Sequence, residues 1–216
     1  MPLKSSDEWR DKMDTPLKAV ALTCSLRASP DESSSDLLAK QVLDELKQHG
    51  VESTTFRIAN HDIKPGVQVD MGDGDEWPMI RQHILAADIL LLATPIWVGH
   101  PSSMVQKVIE RLDAELGETD EQGRLLTYGK VGVVAVVGNE DGAHKVTADL
   151  FQALSDVGFT IPAAGSTYWV GEAMHQVDYK DLGTTPDKTA STNKSVAVNA
   201  AHLARLLKER TYPPVS

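Results

Sequence analysis

One cysteine, Cys24, stands in 216 residues. A lone thiol makes neither an intrachain disulfide nor a structural zinc knuckle, so a reducing, cytoplasmic setting is the expectation. Long apolar runs are missing too. The longest, Ile89–Ala93 and Val131–Val137, fall far short of the roughly 20 residues that a membrane-crossing helix needs. The opening MPLKSSDEWRDKMDTP mixes charges and has no apolar stretch, so it does not read as a signal peptide. No basic cluster offsets the net charge of −10. Nucleic-acid binders draw much of their affinity from neutralising phosphates, so neither nucleic acid nor membrane is an expected partner. Also absent are a phosphate-binding lysine loop, a nucleophile elbow, H-E-x-x-H and C-x-x-C. No metal ligand and no catalytic side chain stands out.

What is present is an ordinary globular balance, 41% hydrophobic and 24% charged. Residues 1–16 read as a polar arm and 17–216 as one domain. Short apolar runs alternate with helically spaced ones. Strands are expected at 18–23, 51–58, 88–94, 130–137 and 161–170. Helices are expected at 36–50, 77–87, 104–116, 143–157 and 191–209. Five strands alternating with five helices give an α/β fold, a doubly wound parallel sheet covered on both faces. The longest insertions, 60–75 and 171–190, are irregular and polar.

In such a sheet the ligand sits beyond the carboxyl ends of the strands, where strand order reverses. Three loops lie there. The first runs T-C-S-L-R-A-S-P-D-E-S-S-S. Ser33, Ser34 and Ser35 head a helix, whose free N–H groups and partial positive charge favour an anion. Ser25 points to the same spot and Arg27 stands at its mouth. A serine before a helix is equally a plain cap. The second loop, Pro95–Ser103, puts Ile96 and Trp97 at the edge of the most apolar strand, between stiffening prolines. An isolated tryptophan would read as a buried core residue, but the flanking prolines and the place at a switch point favour a planar ligand for Trp97. The third loop, Gly138–Gly142, brackets Asn139, Glu140 and Asp141 with glycines and presents backbone N–H groups, or is an ordinary turn. Cys24 reads as a small buried residue.

Together, T-C-S-L-R…S-S-S-D-L-L, T-P-I-W-V-G-H-P-S-S-M-V-Q-K-V-I-E-R and G-N-E-D-G-A-H resemble the NAD(P)H-dependent FMN reductase family of flavodoxin-like flavoproteins. The resemblance runs from about Lys18 to Leu207. It is most specific at Thr94, Pro95, Ile96, Trp97, Pro101, Lys107 and Arg111. It departs at Cys24, where the family often has glycine, and in a longer first loop. The resemblance implies a five-stranded sheet of order 2-1-3-4-5 and a noncovalent FMN. Ser25, Arg27, Ser33, Ser34 and Ser35 would hold the phosphate. Pro95, Ile96, Trp97 and Val98 would line the ring, and Gly138, Asn139, Glu140, Asp141 and Gly142 its pyrimidine edge. It further implies hydride transfer from NADH or NADPH to a flavin, quinone or other small acceptor, in a homodimer or homotetramer. The alternative within the fold is a flavodoxin-like electron carrier that does not oxidise NAD(P)H.

Overall fold

The computed structural model describes residues 16–173 and 175–214. The polar arm therefore lies outside the described residues, except for Pro16. Strand β1 (Leu17–Thr23) leads through the first loop to helix α1 (Ser34–Gln48), then β2 (Val51–Arg57). Helix α2 (Trp77–Ala86), β3 (Ile89–Trp97), a two-residue β4 (His100–Pro101) and α3 (Ser103–Leu112) follow. The chain then runs through β5 (Val131–Gly138), α4 (Ala143–Asp156), β6 (Ser166–Val170) and α5 (Asp187–Glu209). The parallel sheet has the order β2-β1-β3-β5-β6, with β4 folded back antiparallel on β3. Leaving out that short strand, the five sheet strands stand in the expected order 2-1-3-4-5.

Alternation along β1 explains the two layers. Val20 and Leu22 face a core with Trp77, Ile80, Val105, Val108, Val146 and Leu150, from α2, α3 and α4. Ala19 and Ala21 face the other core, with Leu38, Val42 and Leu46 of α1. There α5 presents Val196, Ala197, Ala200, Ala201 and Ala204, small side chains that let it lie close to the sheet. Burying each valine or leucine contributes about 1.5–3 kcal/mol, and β5 is buried along all but its last residue.

Four expectations are corrected. Residues Pro95, Ile96 and Trp97 are strand, not loop. The Ala93 carbonyl accepts the Cys24 N–H. Pro95, two residues on, faces the same side beyond the end of β1, where a missing N–H costs no ladder bond. Helix α3 stops at Leu112 and tightens into a 3₁₀ turn, Asp113–Gly117. The last strand begins at Ser166, because Pro162 and the positive φ of Ala164 interrupt the run from Ile161. Helix α5 begins at Asp187, four residues early, behind Pro186.

The 60–75 insertion is closed by one cation. Arg111 of α3 is fully buried and pairs with buried Asp75 at 2.8 Å. It also donates to the carbonyls of Lys64, Gln68 and Val69, and its guanidinium lies 5.6 Å from the Trp77 ring centre. Asp75 in turn accepts the N–H groups of Lys64, Met71 and Trp77. Burial alone would raise the Asp75 carboxyl; those donors and Arg111 outweigh it and hold it below its ordinary value.

Candidate active site

All five parallel strands end at one edge, and the three loops meet there. Ser102 joins the first two. Its hydroxyl donates to the Cys24 carbonyl at 2.6 Å, its N–H donates to Thr94 Oγ1, and its Oγ caps α3 by accepting the Val105 N–H. Substituting an apolar residue here would leave several buried groups without partners, which costs about 1–3 kcal/mol each.

The second loop is a tight hairpin. Trp97 pairs with His100 and Ile96 with Pro101, and the two residues between them, Val98 and Gly99, both have positive φ, 53° and 71°. Such a turn matches the twist of its strands but strains a β-branched valine. The third loop supplies the restraint. The Val98 N–H donates to Glu140 Oε1 at 2.7 Å. Gly142, itself at φ 129°, lies against Gly99 so closely that a Cβ would sit 3.0 Å from the Gly99 Cα. Alternation then turns Ile96 inward, buried beneath Gly138, and leaves Trp97 half exposed and Val98 exposed. Trp97 is thus not a core residue.

The start of α1 provides donors. Ser33 is the cap, its Oγ accepting the Asp36 N–H and lying 3.2 Å from Ser35 Oγ. The helical ladder opens only at Leu37, whose N–H reaches the Ser33 carbonyl. Ser34 Oγ accepts the Lys180 N–H. Among the described residues, the Ser34 hydroxyl proton and one proton of the Ser33–Ser35 pair have no acceptor. Two hydroxyl protons beside the first-turn N–H groups are a donor set suited to an anion, so the residues present fit a flavin phosphate. Ser25, by contrast, spends its hydroxyl on the Arg27 carbonyl at 2.8 Å. Arg27 is exposed, 3.7 Å from the Asp31 carboxylate.

The wall of the site comes from the 171–190 insertion. Asn139 donates to Asp178 at 2.7 Å. A 3₁₀ turn, Tyr179–Asp181, sets the buried Tyr179 against Trp169 and lets its hydroxyl donate to Gln41 of α1. Burial raises the Tyr179 phenol. One segment therefore touches both the third loop and the helix that heads the serines.

The structure thus brings together Ser33 to Ser35, the Pro95–Val98 hairpin and Gly138–Gly142. It leaves Arg27 and Asp141 in solvent, and gives Glu140 to the hairpin. Among the supporting residues not foreseen are Asp178, which accepts from Asn139, and Arg57 at the end of β2, which donates to Asp36 in the first turn of α1. Their roles depend on which elements become neighbours, and no local motif marks them. Cys24 is fully buried, as expected, and burial pushes its thiol far up. Among the described residues no cluster of three or more histidines, cysteines or carboxylates is placed to hold a metal. No helix among them is long and apolar enough to cross a membrane.

Residues 17–175 match the NADPH-dependent FMN reductase family. The chain belongs to that family. The 8-demethyl-8-aminoriboflavin-5'-phosphate synthase of Streptomyces davaonensis is 33% identical over 210 residues, covering 91% of this chain and 80% of that protein. The crystal structure of RosB, with its bound intermediate 8-demethyl-8-formylriboflavin-5'-phosphate, superposes with a TM-score of 0.84 at 30% identity. That match covers 91% of this chain and 82% of RosB. The divalent metal cation transporter MntH of Mycobacterium bovis is 35% identical over 199 residues, 89% of this chain. The chain spans only 29% of the transporter's length. The fold is flavodoxin-like, and the family to which the chain belongs is one of FMN reductases.

Proposed function

We propose that the chain binds FMN noncovalently at the carboxyl edge of the sheet, oxidises NADPH or NADH, and passes the electrons to a small acceptor such as a flavin or quinone. The 5'-phosphate takes the hydroxyl and N–H donors of Ser33 to Ser35. The ring lies along Pro95, Trp97 and Val98, with Gly138 to Gly142 on its pyrimidine edge. Bound flavin supplies the redox chemistry, accepting hydride and releasing electrons. The protein's part is to bind, orient and screen. Glu140 fixes the hairpin that carries Trp97, and Ser102 fixes the hairpin to β1. Asp178 and Tyr179 hold the wall between the phosphate end and the ring end. No side chain has to move a proton for hydride transfer to the ring.

The observation that carries this reading is Trp97: a large flat side chain held half exposed on a locked hairpin, at the same edge as a helix headed by unspent hydroxyls. Binding of FMN and riboflavin, followed by flavin fluorescence, tests it. FMN should bind about 1:1 and at least tenfold more tightly, and Trp97→Ala should weaken both ligands. Equal affinities would overturn the phosphate site. Purified protein with FMN should then oxidise NADPH or NADH; a flavin carrier without that activity is the outcome that removes the enzyme reading. The exposed hairpin also suits an interface between copies, and a homodimer or homotetramer is expected in sedimentation.

The synthase and RosB relatives favour a second reading, in which a riboflavin-5'-phosphate is the substrate altered on its ring. Mass spectrometry of the flavin recovered after turnover separates the two, since a cofactor returns unchanged.

A further inference from the structure

The first loop is held from outside by the end of a neighbouring strand. Arg57 is the last residue of β2 and pairs in register with Thr23, the last residue of β1. Its side chain is only 11% exposed. Its Nε and Nη2 both donate to one carboxylate oxygen of Asp36, in the first turn of α1, and its Nη1 donates to the Asp31 carbonyl at 2.6 Å. The two ends of the Asp31–Asp36 segment, which contains all three serines, are thereby tied to one guanidinium. Three residues on, Asn60 continues the support: its Oδ1 accepts the Ser29 N–H and its amide donates to Ser29 Oγ. Asp36 carries a formal negative charge within the same helical turn as the serine donors. Left alone it would repel a phosphate dianion, because charges a few ångströms apart interact strongly where water is partly excluded.

We propose that Arg57 is a positioning residue for the flavin 5'-phosphate. It shapes the serine turn and cancels the charge of Asp36, and so sets the preference for phosphorylated over unphosphorylated flavin without touching the phosphate. The proposal rests on the assignment of FMN phosphate to Ser33–Ser35. Arginine is suited to the task because its planar fork engages the Asp36 oxygen and the Asp31 carbonyl at once, which a lysine does not do.

The test is the ratio of riboflavin to FMN dissociation constants, measured by flavin fluorescence on the full chain, with thermal unfolding as the control for folding. Arg57→Gln should lower the ratio about tenfold, the change that 1.4 kcal/mol represents, with riboflavin affinity within about twofold of wild type. Adding Asp36→Asn to Arg57→Gln should recover at least threefold, since the uncompensated charge is gone. Arg57→Lys should fall between wild type and Arg57→Gln; should the glutamine variant not fold, Arg57→Lys carries the test, with a drop of at least threefold expected. A wild-type protein that does not discriminate between the flavins overturns the phosphate assignment and this proposal with it. A discriminating wild type whose folded Arg57 variants keep the ratio within twofold, or lose both flavins equally, overturns the role of Arg57 alone.

Discussion

The two long insertions differ in what holds them. Residues 62–76 close around a single buried cation, Arg111, which gives its hydrogen bonds to three backbone carbonyls and to Asp75. Among the described residues of 171–186 there is no such centre. They are stitched at separate points to the candidate site, through Asn139–Asp178, Ser34–Lys180 and Gln41–Tyr179. The first insertion is therefore part of the folding unit, and the second is part of the wall of the candidate site. Two stretches that look alike in composition are expected to divide stability and ligand affinity between them.

The largest effect should come from breaking the first. Arg111→Met leaves the Asp75 carboxylate buried and three carbonyls unpaired, and should lower unfolding free energy by about 3–5 kcal/mol in urea. Flavin affinity of the folded fraction should change by less than about threefold; a selective loss of flavin binding would erase the division. The same clamp has a pH signature. Asp75 titrates below its ordinary value in the folded protein. Its contribution is then complete above the unfolded value of about 3.9 and is lost as pH falls through the lower folded value. The urea midpoint should fall more steeply below about pH 4 in wild type than in Arg111→Met.

Breaking the second should act on the ligand. Asp178→Ala removes the acceptor of the Asn139 amide. It should cost about 1.5 kcal/mol of stability and weaken FMN roughly tenfold in equilibrium titration. The smallest effect is expected of Tyr179→Phe, which keeps the ring packed on Trp169 and removes the hydroxyl that bonds Gln41. About 1 kcal/mol of stability and less than threefold in FMN affinity should go.

The layered α/β fold and its strand order were legible because apolar runs of strand length alternate with helically spaced ones, and the family motifs add the order. The serine-headed helix and the exposed Trp97 were legible for the same reason: each is a local pattern at a strand end. Pro95 was misleading. Proline marks a loop on its own, but here it occupies a strand position beyond the end of β1, where no N–H is needed on that side. Arg57 and Asp178 were invisible, because their meaning lies in register and chain closure. Arg27 shows the converse, a charge two residues from Ser25 that sequence spacing aims at the phosphate and the structure leaves in water.

The sheltered position of Cys24 bears on durability. Reduced flavins exposed to air are a source of peroxide, and peroxide attacks thiolates. The chain's one sulfhydryl is fully enclosed, directed at the Leu22 carbonyl and held in its protonated form, so it offers an oxidant neither access nor a nucleophile. If the proposed activity holds, the chain has no thiol to lose to such by-products, and its folded form should resist alkylating reagents until it is denatured.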